Sequence, residues 1–200
     1  MKIIITLLFL VLLTSCASKP LMVKYYLLHT PANKISHTGM QTKPIVILQM
    51  LDVAEYLNQS GLVMQIDKHE LYYSRQDVWA EKLQSSFYKA LLEDLNAVGQ
   101  SNYVVYNSPV AVFASYSVKV ELAHFHATDT SKVVSSGRYW LSLNDTQAAE
   151  NMAFSTSSHA FFFESELKQD GYAHAVGKLK IMINNLAKQV EKDIADLPNN

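Results

Sequence analysis

Apolar and polar positions follow two distinct rhythms along this chain. In residues 116–122, Tyr116, Val118, Val120 and Leu122 alternate with Ser117, Lys119 and Glu121, the period of a half-buried strand with one wet face. The phase slips at Ala123 and His124, which predicts a bulge or bend there. Residues 133–143 alternate again, with Tyr139, Leu141 and Leu143 on one face and Arg138, Trp140 and Ser142 on the other. Residues 152–163 read as a third strand, polar in the middle and aromatic at the end. Phe161, Phe162 and Phe163 cannot all face one core from a strand, so at least one must point outward. Three such segments in succession predict an antiparallel meander.

Shorter strands are predicted upstream: 24–28 (KYYLL), 45–49 (IVILQ), a hairpin of 62–66 and 70–74 around Asp67-Lys68, and 103–106. Residues 30–43 read as a loop, and Gln59-Ser60-Gly61 as a turn. The second rhythm is helical. Leu83, Phe87, Leu91, Leu95 and Val98 form one stripe in 81–98, with Asp77 as a capping residue near its start and Gly99 after its last turn. Tyr172, Val176, Leu179, Ile183, Leu186 and Val190 form another in 172–195. Two single-striped helices can cover a sheet only by lying side by side on it. The expected fold is therefore α/β (α+β) and two-layer, a mixed or mostly antiparallel sheet with two main helices packed largely on one face.

The N-terminal end follows neither rhythm. Met1-Lys2 is a short positive start, residues 3–13 are apolar except for Thr6, and Leu13-Thr14-Ser15-Cys16 follows. That is the layout of a secretory signal. At ~1.5 Å per residue the apolar run spans about half of a ~30 Å hydrocarbon core, too little for a stable transmembrane helix. Leu13-Thr14-Ser15-Cys16 resembles the lipobox of bacterial lipoproteins, in which small residues expose the cleaved bond and the thiol carries diacylglycerol, with palmitate-type acylation of the new N-terminus. Several acyl chains exceed the two-signal threshold for stable anchoring. Ala17 and Ser18 follow the cysteine, with no Asp, as in cargo sent to the outer membrane. The expected organisation is a signal peptide (1–15), a lipidated tether (16–23) and a single domain (24–200).

Composition narrows the function. Hydrophobic residues make up 49% of the chain, with only 6 Gly and 5 Pro, which argues against disorder and for a real core. A net charge of −1 offers no basic excess for nucleic acid. Cys16 is the one cysteine, so its lipidation leaves no thiol for a disulfide, for catalysis or for a metal. The chain shows no catalytic motif, and no cofactor is expected. His124-x-His126 is the best metal candidate, with His159 or Glu121 as a third ligand, but two histidines two apart are common by chance, a polar strand face is the favoured reading and no metal is assigned. Ser157-Ser158-His159 suggests nucleophile chemistry, yet Ser158 and His159 are adjacent on a strand and point to opposite faces. Tyr25-Tyr26, Tyr72-Tyr73 and the three phenylalanines place aromatics on both sides of strands, an excess of sticky surface that hints at assembly. Tyr73 and Phe162 are the candidate partner contacts.

Val53-Ala54-Glu55-Tyr56-Leu57-Asn58-Gln59-Ser60-Gly61-Leu62-Val63 and Trp79-Ala80-Glu81-Lys82-Leu83, at their spacing, resemble the PqiC-like (paraquat-inducible locus) group of auxiliary lipoproteins of ABC-type, MCE-associated transport. The likeness continues through 91–95, 118–122, Trp140-Leu141 and the C-terminal helix. The chain departs from the group's pattern where Glu55, Gln59 and Lys82 replace a proline, an arginine and a proline. Tyr56, Leu57, Gly61, Leu62, Trp79, Ala80, Glu81 and Leu83 are the motif residues, with a structural or contact role. Tyr56 and Leu57 are expected to pin a strand exit before Gly61 turns the chain, and the Trp79 indole to fill a helix–sheet corner. The resemblance implies a non-enzymatic lipoprotein on the periplasmic face of the outer membrane. It implies docking on the distal end of an MCE-domain transport protein, contact with outer-membrane lipids through the acyl anchor, and support of membrane integrity, with a homo-oligomeric ring at the tunnel mouth. The alternative is a periplasmic carrier holding one lipid or hydrophobic ligand between sheet and helices, which requires a cavity of several hundred cubic ångströms.

Overall fold

The longest strand among the described residues, Tyr116–Thr128, organises the sheet. In this computed structural model, which describes residues 22–30, 43–144 and 156–197, the elements in chain order are β1 (Lys24–Tyr26), β2 (Ile45–Leu48), β3 (Asp52–Val53), β4 (Gly61–Asp67), β5 (Glu70–Trp79), α1 (Leu83–Val98), β6 (Asn102–Val105), β7 (Tyr116–Thr128), β8 (Lys132–Leu143), β9 (Thr156–Glu166) and α2 (Tyr172–Ala195). Short 3₁₀ segments at Glu55–Leu57 and Pro109–Phe113 lead into β4 and β7. One edge of β7 carries β8, antiparallel from Tyr116↔Leu143 to Ala127↔Val133, and β8 carries β9 from Ser142↔Thr156 to Lys132↔Glu166. The other edge carries β2, β3 and β4 in succession, all parallel, at Val46↔Tyr116, Asp52↔Glu121 and Met64↔Ala127. β6 flanks β2, β5 flanks β4 as a hairpin, and β1 lies parallel on the outer side of β5. The sheet is mixed, and the meander of β7, β8 and β9 is its antiparallel half.

Alternation decides which side chains meet the helices. Val118, Val120 and Leu122 of β7 and Tyr139 and Leu141 of β8 are buried. Between Leu122 and His124 the register shifts, the bulge expected there, and Phe125 and Ala127 take over as the buried positions. Gly137 sits opposite this irregularity: a Cβ on it would lie 2.0 Å from the Glu121 carbonyl oxygen, so only glycine allows the strands to close. Phe87, Leu91 and Leu95 of α1 and Leu179, Ile183, Leu186 and Val190 of α2 join these strand residues in one core. Lys180 of α2 reaches Asp94 of α1 at 2.5 Å, tying the helices side by side.

Several local expectations change. The hairpin's second strand runs on to Trp79, because β1 and Gly61 pair with its far end. α1 therefore starts at Leu83, after an extended Lys82 (ψ 132°), not at residue 81. Asp77 lies within β5 and accepts the Tyr26 hydroxyl at 2.8 Å, so it caps no helix. Gly61 opens β4 instead of turning the chain: it pairs with Val78, and a Cβ there would meet the Ser74 carbonyl oxygen at 2.3 Å. Gly99 does end α1 in the left-handed conformation (φ 89°). The third meander strand extends to Glu166, and its expected start at 152–155 lies outside the described residues. So do Cys16 and most of the loop expected over 30–43.

Candidate functional site: the motif junction and the outer sheet face

The two motif segments meet where β4, β5, β1 and α1 converge. The Trp79 amide donates to the Ser60 carbonyl at 2.8 Å and the Ala80 amide to the Tyr26 carbonyl at 2.9 Å, so the residues before the helix close the sheet edge. The Trp79 indole is buried with its ring 6.3 Å from that of Phe125, which stands edge-on to Phe87 of α1 at 5.2 Å. It therefore occupies the corner between sheet and helix. Leu57, Leu62 and Leu83 are buried in the same core. Glu81 receives Lys89 at 2.5 Å and His29 at 2.8 Å. Burial alone would raise its carboxyl, but these two hydrogen bonds outweigh it and hold the group below the usual carboxylate range.

Tyr56 differs from its buried neighbours. Its ring packs on the sheet against His124 and His126, at centroid distances of 6.4 and 6.1 Å. Its hydroxyl donates to the Ala123 carbonyl at 2.9 Å. Burial, with a smaller contribution from Tyr73, pushes its phenol up to about 12. His124 opposes Ser136 across the β7–β8 ladder, and Ser136 opposes Phe162 on β9. Tyr73, Tyr56, His124, Ser136 and Phe162 thus follow one another across the sheet. Tyr73 is 38% and Phe162 66% exposed, whereas Phe161 is buried and Phe163 is partly covered. The two candidate contact residues stand at opposite ends of one surface row.

The polar candidates are placed differently. His124 Nδ1 pairs with the Ser136 hydroxyl at 2.8 Å, and His126 Nδ1 lies 3.1 Å from the Ala127 carbonyl oxygen. Burial lowers the His126 imidazole, which favours its neutral form. Among the described residues no group of three or more His, Cys, Asp or Glu side chains assembles around a metal-sized space. His159, the third ligand considered, instead stacks on Tyr139 (5.1 Å, 7°) and meets Asp193 of α2 at 3.2 Å and Ser157 at 2.9 Å. Tyr139 donates its hydroxyl to the same Asp193 carboxylate. Ser158 accepts from Arg138 at 3.0 Å and stays apart from His159. The Ser157–His159–Asp193 contact went unread in the sequence. Ser157 and His159 share a strand face at spacing two, but Asp193 comes from a distant helix.

Two spaces bear on ligand binding. The void bounded by Leu62, Val63, Trp79, Phe125 and Leu179, between sheet and helices, measures about 10 Å³, room for one water. A cleft of about 310 Å³ opens where β9 meets α2, lined by Phe162, Phe163, Glu164, Lys178, Ile181 and Met182 among others. It touches none of Ser157, His159 or Asp193.

Among the described residues the chain is a mixed sheet with two helices packed on it side by side. The chain belongs to the family of ABC-type transport auxiliary lipoprotein components, whose model matches residues 26–191. It is 24% identical over 186 residues to the intermembrane transport lipoprotein PqiC of Escherichia coli (strain K12), covering 93% of this chain and 94% of that protein. The Shigella flexneri protein of the same name matches equally. A crystal structure of an uncharacterized protein shares the fold with a TM-score of 0.70 at 19% identity, over 86% of this chain and 99% of the other. Protein XCC0632 of Xanthomonas campestris does so with a TM-score of 0.58 at 10% identity, over 75% and 82%. The chain is thus a PqiC-like transport auxiliary lipoprotein of the cell envelope.

Proposed function

We infer that this protein is a non-enzymatic mooring of an MCE-type intermembrane lipid transport system. It is held by acyl chains on Cys16 to the periplasmic face of the outer membrane and docks the distal end of the transport tunnel. The family match over residues 26–191 carries the reading. A lipoprotein needs a thiol for its thioether, and the chain has one cysteine, just ahead of the matched region. Docking is favoured over the carrier alternative because the inner void beside Trp79 and Phe125 measures about 10 Å³, and the larger space of about 310 Å³ is an open cleft at the β9–α2 edge lined in part by Glu164, Ser165, Lys178 and Asn185, not an enclosed apolar chamber for a lipid. The exposed row ending in Tyr73 and Phe162 is the surface we assign to protein contact, with the MCE-domain protein or with further copies in a ring.

The test is Cys16→Ala behind a cleavable, non-lipoprotein signal. The expected product is folded, soluble in the periplasm and unable to restore envelope integrity in a strain lacking the protein. Full restoration by the unanchored form would remove anchoring from the mechanism. Photo-crosslinking from positions 73 and 162 in cells should then trap the MCE-domain protein or a second copy. Adducts with lipid alone would favour the carrier.

A further inference from the structure

We propose that the β1 edge is the surface this protein lays against the bilayer that holds its anchor, with Tyr25 at headgroup level; this rests on the lipid-anchor reading above. Among the described residues β1 pairs on one side only, with β5. Its inward residue Tyr26 is tied to Asp77, but Met22 is 81%, Tyr25 70% and Leu27 46% exposed. The reach of the tether gives this apolar edge an occupant. Six peptide steps separate Cys16 from Met22, no more than ~20 Å even fully extended. The 24 residues of α2 alone are longer than that leash. An acylated Cys16 therefore holds the start of β1 close to the membrane and lets only the surface around it touch.

The chemistry of the edge fits a phospholipid interface. A tyrosine ring with its hydroxyl in water suits the headgroup layer, where aromatic belts of membrane proteins sit. Lys24 on β1 and Arg75 on β5 are both exposed and place cations beside the apolar residues, as phosphate headgroups require. Another exposed apolar cluster, around Phe113, adjoins β2 and β6. Those strands join β7 at its Tyr116 end, whereas the ladder carrying β1 joins it at its Ala127 end. Phe113 is thus a built-in control.

Because lipidation consumes the only cysteine, a thiol introduced at either place can be labelled alone. Full-length lipidated Tyr25→Cys and Phe113→Cys proteins, labelled with bimane, would be floated on phosphatidylethanolamine–phosphatidylglycerol vesicles with and without brominated acyl chains. Quenching by the brominated lipid is expected to be at least twofold stronger at 25 than at 113. Equal quenching at both positions, or none at 25 in floated protein, would overturn the proposal while leaving the anchor intact. Excimer emission from pyrene at 25 would assign the edge to a second copy and also overturn it. Protein that fails to float would refute the anchor reading, and this inference with it.

Discussion

The hydroxyl of Tyr56 donates to the carbonyl of Ala123 at 2.9 Å, at the point where β7 slips register against β8. The bulge frees that carbonyl from the ladder, and a side chain from the 3₁₀ turn ahead of β4 satisfies it. Tyr56→Phe removes one hydrogen bond and leaves the ring, so the expected loss is about 1 kcal/mol in chemical denaturation. The same variant should change alkaline behaviour. In the folded chain the phenol is pushed up to about 12, above its ordinary value of 10.0, and Tyr26 is pushed up likewise, by burial and then by Asp77. The stability these protonated phenols contribute is complete below pH 10 and is lost as pH rises from about 10 to about 12. Denaturation midpoints across that window should fall less steeply for Tyr56→Phe than for the parent protein.

Glycine positions divide into those where the backbone closes in and those where it does not. At Gly61 an added Cβ meets the Ser74 carbonyl oxygen at 2.3 Å, and at Gly137 it meets the Glu121 carbonyl oxygen at 2.0 Å and the Phe161 ring at 3.0 Å. Either alanine substitution must push two strands apart, at a cost of about 1–3 kcal/mol or more. Gly177, in the second turn of α2 on its exposed face, has open space around it. Gly177→Ala is expected to stabilise by up to about 1 kcal/mol through helix propensity. Thermal melts of the three variants should therefore move in opposite directions, with Gly177→Ala alone raising the midpoint.

These cases show where the sequence was readable. Tyr116 to Leu122 and Tyr139 to Leu143 are amphipathic at period two, and Leu83 to Val98 and Tyr172 to Val190 at helical period, so local pattern alone located the meander and both helices. Phe162 could be read as exposed because consecutive aromatics on a strand cannot share a face. The end of β5 was not readable. Asp77 and Trp79 have the composition of a helix entrance, and only pairing with β1 and Gly61 makes them strand. β3 is two residues long and exists because β7 offers it an edge. The contacts of Tyr56 with Ala123 and of His159 with Asp193 join residues far apart in the chain, and no local spacing encodes them.

Glu191 of α2 is buried and takes the Tyr103 hydroxyl from β6 on one carboxylate oxygen, while the other oxygen has no partner among the described residues. Burial first, then Glu191, raises the Tyr103 phenol far above its ordinary range, so it remains a donor at any working pH. Removing that donor leaves the buried acid alone. Tyr103→Phe should therefore cost about 3 kcal/mol. Glu191→Gln keeps an acceptor for Tyr103 in the same place and should be tolerated within about 1 kcal/mol. A double variant losing less than the two single losses added together would locate the energy in the pair.

The Ser157–His159–Asp193 contact has the connectivity of a hydrolytic triad, and the family reading predicts that it does no chemistry. Acyl transfer requires hydrogen-bond donors fixed around the developing oxyanion, and a pocket for the acyl group. Ser157 lies within the β8–β9 ladder opposite Leu141, and the 310 Å³ cleft on the same strand is lined by residues further along. His159 is stacked on Tyr139, and the Asp193 that orients it also takes the Tyr139 hydroxyl, so the cluster is knotted into the packing of α2 on the sheet. A fluorophosphonate probe should leave Ser157 unlabelled. Ser157→Ala should preserve envelope integrity in complemented cells, and Asp193→Ala should lower stability by about 2 kcal/mol through two lost hydrogen bonds. Covalent labelling at Ser157 that disappears in His159→Ala would show the opposite: a working nucleophile in a protein whose family is defined by transport.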